Sequence, residues 1–233
     1  MGRLLKMVEE LRKPLLQLAL DFVRVEDALN ILRKLQGLEI PVVEVGTPLI
    51  KSEGMKAVSI IRSVVPEETI VLADTKTADV GTLEVGIVSD AGGDVATVLA
   101  SADDEVIKSA LEEGARRDID VVIDTVGVRD LPSRISELVG FGGRIINIHA
   151  GIDVQVLRGV TARTFVETVK KLKTIYPEAY FSISGGIKPR DNEDVLSSGA
   201  SVVVVGSAIT RAENPRDVVL QFLRGFGYGV CPS

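Results

Sequence analysis

Eight short apolar runs recur along the chain, with room for a helix after each: LLQLAL (15–20), PVVEVG (41–46), TIVLAD (69–74), DVATVLA (94–100), IDVVIDTV (119–126), RIINIHA (144–150), YFSIS (180–184) and SVVVVG (201–206). Between them lie amphipathic stretches such as VEDALNILRKL (25–35), EVIKSALEEGARR (105–117) and ARTFVETVKKLKTI (162–175), apolar at the helical period. The strand runs are nearly continuous in apolar character, as a sheet buried on both faces requires. Strands alternating with helices imply right-handed crossovers and a parallel sheet. Eight such units in 233 residues predict a single (β/α)8 barrel, a TIM barrel of α/β class.

An open, doubly wound sheet is the main rival, but no G-x-G-x-x-G follows the first strand. GFGYGV (225–230) has the glycines without the strand and helix, and is read as a flexible tail. GFGGR is a turn feeding the sixth strand. Residues 1–13 are expected to form a helical extension capping the barrel bottom, and 14–233 the catalytic barrel.

Several partners are disfavoured. The net charge is −6, the pI near 5.0, and Lys and Arg are scattered, which argues against nucleic acid. A local pocket can still be positive toward an anionic small substrate. The single cysteine, Cys231, permits no intrachain disulfide or cysteine metal cluster and favours a reducing, cytoplasmic setting. MGRLLKMVEELRKP lacks a signal-peptide apolar core, and no run reaches the roughly 18 residues of a membrane span.

Barrel chemistry sits at the C-terminal ends of the strands. Those ends carry Asp21, Glu44, Asp74 followed by Lys76 and Asp79, His149 followed by Asp153, Ser184-Gly185-Gly186, and Gly206-Ser207. Each has a plainer explanation. Asp21 can cap the helix starting near Val25, Asp79 can cap the third helix, Asp74 and Lys76 can pair structurally, and His149 can be a packing residue. Glu44 is harder to set aside, because an unpaired carboxylate in an apolar run needs a cation. Five carboxylates, one lysine and the only histidine at one barrel mouth point to a metal or a moving proton. Glycines at the last two strand ends let the main chain approach a phosphate.

The D-x-K-x-x-D of Asp74, Lys76 and Asp79 resembles the signature of the orotidine 5′-phosphate decarboxylase superfamily of (β/α)8 barrels, and the likeness runs from LQLALD (16–21) to VGSAIT (205–210). VVEVGTP, with Glu44 where orotidylate decarboxylases carry lysine, resembles the metal-dependent members. HAGID departs from the HxxRD of ketogulonate-phosphate decarboxylases at Ile152, and Ser207 stands where they tend to have arginine. TVLASADDEVIKSA, IDTVGVRD and HAGIDVQ are most similar to the hexulose-phosphate synthases, although those usually show glycine at Ser207.

The resemblance implies a reversible aldol reaction of D-ribulose 5-phosphate with formaldehyde through a 1,2-enediolate. It implies Mg²⁺, with Mn²⁺ as a substitute, held by Glu44 and Asp74, and Lys76 as a second positive charge. His149 would be the base, Asp21 would orient Lys76 or a hydroxyl, and Asp153 would bind substrate. Gly185, Gly186, Gly206 and Ser207 would cradle the phosphate. It further implies a homodimer in which Asp79 reaches the neighbouring subunit's site. Alternatives are a keto-sugar-phosphate decarboxylase, an orotidylate decarboxylase, and a phosphosugar sensor without catalysis.

Overall fold

In the computed structural model, residues 1–150 and 162–229 are described. Eight strands close into a barrel in chain order: β1 (Leu15–Leu20), β2 (Val42–Val45), β3 (Ile70–Thr77), β4 (Val95–Leu99), β5 (Asp120–Asp124), β6 (Ile145–His149), β7 (Tyr180–Ser184) and β8 (Val202–Val205). Every neighbouring pair is parallel, and β8 returns to pair with β1, Leu16 opposite Val203. The closed ring leaves no strand edge, so the β-branched runs are paired on both sides. The crossovers include α2 (Val25–Lys34), α3 (Thr47–Glu53) and α4 (Lys56–Val64) in succession, α5 (Gly81–Asp90), α6 (Asp104–Arg117), α7 (Leu131–Gly140) and α8 (Ala162–Ile175). The short α9 (Asn192–Ser198) and α10 (Ser207–Thr210) precede the closing α11 (Pro215–Gly225). Among the described residues no helix is long and apolar enough to cross a membrane.

Side chains alternate across each strand, and the two faces have separate cores. Leu16, Leu18, Val43, Val71, Ile146 and Val203 pack outward under the helices. Leu15, Val42, Ile70, Leu72, Val95, Val122, Ile145 and Val202 fill the lower lumen, and α1 (Arg3–Leu11) plugs it from below with Leu4, Leu5 and Val8. The plug is capped remotely: the Leu5 N–H donates to Asp120 Oδ2 at 3.0 Å, so a carboxylate from the foot of β5 serves a helix start that has no side-chain cap of its own.

Two residues farther along the same strands, the lumen becomes polar. Gln17, Glu44, Asp74, Thr97, Asp124, Asn147 and Ser182 are all buried. The lumen is thus an apolar plug below and a hydrogen-bonded cup above.

Two expectations are corrected. β3 does not end at Asp74 but runs on to Thr77, because an irregularity keeps it paired with β4. The glycine-rich end is not a flexible tail: Phe226 is buried against Phe222, and the Tyr228 hydroxyl donates to the Pro14 carbonyl at 3.2 Å while Lys13 Nζ lies 3.6 Å over its ring.

Candidate active site

The irregularity in β3 sets the centre of the cup. Ala73 and Thr77 oppose Ala96 and Val98 of β4, so three residues of β3 face the single residue Thr97. Such a bulge bends the strand and re-aims a side chain. Lys76, at its apex, adopts a left-handed backbone with φ 48°, a conformation that costs a non-glycine residue about 1–2 kcal/mol. Hydrogen bonds hold it there. The Lys76 N–H donates to Thr97 Oγ1 at 2.9 Å, Thr75 Oγ1 donates to the Thr97 carbonyl at 2.8 Å, and Thr77 Oγ1 donates to Glu84 Oε2 at 2.6 Å. The outcome is an ammonium aimed into the mouth, 2.7 Å from Asp74 Oδ2 and 3.2 Å from Asp124 Oδ2. Burial alone would lower its pKa, but Asp74, Asp124 and Glu44 raise it, so Lys76 is a fixed positive charge.

Asp74 accepts from Thr97 Oγ1 at 2.9 Å and from Thr47 Oγ1, on the first turn of α3, at 2.7 Å. Glu44 is buried, and Gln17 Nε2 donates to its Oε2 at 2.6 Å. Its pKa is pushed well up, first by burial, then by Asp74 and Asp21. Asp21 opens onto the mouth, yet the rim leaves it poorly solvated, and burial followed by Asp74 raises its pKa too. Glycines at two strand ends make room for it: a Cβ at Gly46 would collide with Asp21 Oδ1, and one at Gly206 would lie 3.3 Å from Oδ2.

Asp21, Glu44, Asp74 and Asp124 thus surround one ammonium. Such a surplus of hard oxygen donors suits a divalent cation, which would relieve the cost of ionising Glu44. Among the described residues no group of three or more His, Cys, Asp or Glu is disposed to hold a metal. A cation between Glu44 and Asp74 would complete its shell with water and substrate oxygens, as Mg²⁺ commonly does.

Across the cup, His149 ends β6 with its ring in the mouth, 2.9 Å from Asp124 Oδ2 through Nδ1. A carboxylate only accepts, so Nδ1 carries the proton and Nε2 is left as the basic nitrogen. Burial would raise the pKa of Asp124, but the His149 hydrogen bond and the charges of His149 and Lys76 hold it at about 2. Asp124 is therefore an anion that orients both the lysine and the histidine. It was not singled out from the sequence, although the run IDVVIDTV contains it and β5 ends at it. The strand-end position that marks Glu44 and Asp74 as candidates marks Asp124 equally. Thr97 and Gln17 carried no comparable signal, since a neutral side chain in a strand reads as ordinary packing.

Gly185 and Gly186 follow β7 with φ 132° and 65°, in the left-handed half where glycine is favoured. Gly206 precedes α10 and Ser207 begins it, so all four lie at the same end of the barrel as Lys76 and His149. Asp79 does not join the cluster. It is exposed, makes no hydrogen bond or ion pair with the described residues, and precedes α5 without capping it, Val80 holding the cap position. Asp153 lies outside the described residues.

The model of the family described as orotidine 5′-phosphate decarboxylase / HUMPS matches residues 14–222. A 3-hexulose-6-phosphate synthase of Mycobacterium gastri is 35% identical over 200 residues, 86% of this chain and 93% of that protein. One from Bacillus subtilis (strain 168) is 36% identical, covering 84% of this chain and 91% of its own length. Among solved structures, a 3-hexulose-6-phosphate synthase from Salmonella typhimurium superposes with a TM-score of 0.84 at 32% identity, over 91% of this chain and 97% of the other.

Proposed function

The chain belongs to the orotidine 5′-phosphate decarboxylase / HUMPS family, and from that premise we propose that it catalyses the reaction for which its hexulose-phosphate relatives are named. D-Ribulose 5-phosphate and formaldehyde combine reversibly into D-arabino-hex-3-ulose 6-phosphate. The observation that carries this reading is the pairing of His149 with Asp124 beside Lys76 in one cup.

His149 Nε2 removes a proton from C1 of ribulose 5-phosphate, giving the 1,2-enediolate. C1 then attacks the carbon of formaldehyde, and the new alkoxide takes the proton back from the imidazolium. Asp124 keeps the imidazole in its working tautomer and stabilises the imidazolium. Lys76 places a permanent positive charge where the enediolate develops its negative charge, a contribution of the preorganised electrostatic kind. Glu44 and Asp74 are the residues that would hold Mg²⁺ or Mn²⁺, which supplies Lewis-acid stabilisation of charge on oxygen. Main-chain N–H groups around Gly185, Gly186, Gly206 and Ser207 receive the phosphate. Asp21, wedged between the ends of β2 and β8, accepts from a substrate hydroxyl.

The working unit in this reading is a homodimer. Asp79 stands free at the start of α5, and beside it Val80, Leu83 and Ile87 are 48%, 59% and 40% exposed. These apolar side chains on one helix face suit a second copy, which Asp79 would enter.

The test is to mix protein, ribulose 5-phosphate, formaldehyde and Mg²⁺ and follow formaldehyde. Consumption that stops with EDTA and returns with Mg²⁺ or Mn²⁺ is expected. Carbon dioxide release from 3-keto-L-gulonate 6-phosphate, with no formaldehyde consumed, would favour the decarboxylase instead.

A further inference from the structure

Four polar side chains line one side of the lumen on three adjacent strands: Asp124 on β5, Asn147 on β6, and Ser182 and Ser184 on β7. All are at most 8% exposed. Branched apolar residues ordinarily fill a barrel at this depth, and a buried amide is costly unless its hydrogen bonds are made. Both serine hydroxyls donate to Asn147 Oδ1, each at 2.9 Å. The serine hydroxyls could donate or accept, so the neighbouring carboxylate, which only accepts, decides which way the amide faces. Its Nδ2 therefore turns to β5, where it donates a long hydrogen bond of 3.5 Å to Asp124 Oδ2. Turned over, the amide would set its oxygen against that carboxylate.

The oxygen so reached is the one that accepts from His149 Nδ1 and from Lys76. At the other end, Ser184 is the last residue of β7 and leads directly into Gly185 and Gly186. An unbroken run of side-chain hydrogen bonds thus joins the residue before the glycine turn to the histidine.

We propose that Asn147 is a positioning residue which, clamped by Ser182 and Ser184, holds Asp124 and through it the His149 imidazole, so that the placement of the glycine turn and that of the base are linked. The coupling itself is a property of the folded protein. Its catalytic consequence rests on the proposed aldol reaction.

His149 is the only histidine in the chain, so protein labelled with ¹⁵N-histidine reports one imidazole without substrate. The wild type is expected to show the Nδ1–H tautomer almost alone at neutral pH. Asn147→Leu, close in size but without the amide, should give a tautomer mixture, and Ser182→Ala/Ser184→Ala should move part of the way. Formaldehyde consumption by Asn147→Leu should lose about 10- to 100-fold in kcat, the scale of a small misplacement, with KM for ribulose 5-phosphate nearly unchanged. In an Asp124→Asn background the same substitution should cost nothing further. An unchanged imidazole spectrum in folded Asn147→Leu overturns the proposal, as does a loss that adds in full to that of Asp124→Asn. Should Asn147→Leu not fold, the serine pair decides by the same spectrum. A wild type that consumes no formaldehyde counts against the reaction, while the tautomer comparison still decides the role of Asn147.

Discussion

At the scale of single residues, Asp124 organises the mouth. It is 2% exposed, and an isolated carboxylate so placed would be costly. Its interactions with His149 and Lys76 outweigh that cost, which is why it sits at about 2 rather than at its ordinary 3.8. A carboxylate with a lowered pKa contributes stability above its unfolded value and loses it as pH falls through the folded one. The shift corresponds to about 2 kcal/mol. Asp124→Asn should therefore melt about 4–8 °C below wild type at pH 7, and the gap should close as pH falls from about 4 to about 2. Melting curves across that range check it. A gap of constant size would mean that Asp124 acts by packing. Glu44 has the opposite sign: its raised pKa makes the metal-free protein less stable as pH climbs through it.

At the scale of elements, β3 and α5 do what their sequences only partly disclose. The apolar run up to Asp74 announced a strand, and the Asp-Lys-Asp cluster announced a site. The bulge did not show, because it depends on Thr97 from the neighbouring strand opposing three residues and bonding both Lys76 and Asp74. Pairing across strands leaves no local signature. In α5, Val85 and Val88 are buried while Leu83 and Ile87 are exposed, so the helix is apolar on two faces, as an element covered on both sides would be. If that outer face is the dimer contact, Lys76→Ala and Asp79→Ala should each be inactive, yet regain part of the activity when co-expressed, through hybrids carrying one intact site. Leu83→Glu should yield an inactive monomer by sedimentation. Hybrids as inactive as their parents, or a fully active monomer, would remove Asp79 from the mechanism.

At the scale of the molecule, the barrel separates stability from chemistry along its axis. Leu15, Val42, Leu72, Val95, Val122 and Ile145 help close the lower lumen with α1, and the positions two residues on, Gln17, Glu44, Asp74, Thr97, Asp124 and Asn147, build the cup. The closed parallel topology was legible because strands buried on both faces read as unbroken apolar runs. Glu44 and Asp74 were legible for the same reason, since carboxylates stand out in such runs, whereas Asp124 of the same charged half of the cup was missed. The cup's neutral half, Gln17, Thr97, Asn147 and Ser182, was not legible, and neither was the packing of Tyr228 under the barrel, because the glycines around it spoke for a loose end. The central claim is that this cup removes the C1 proton of ribulose 5-phosphate through His149, and wash-in of deuterium at C1 in D₂O, with Mg²⁺ and without formaldehyde, tests it most directly. Wild type should exchange, and His149→Asn, with its fold and substrate affinity kept, should exchange about 10²–10⁴ times more slowly. Exchange at the wild-type rate in His149→Asn would contradict the account and place the base elsewhere in the cup.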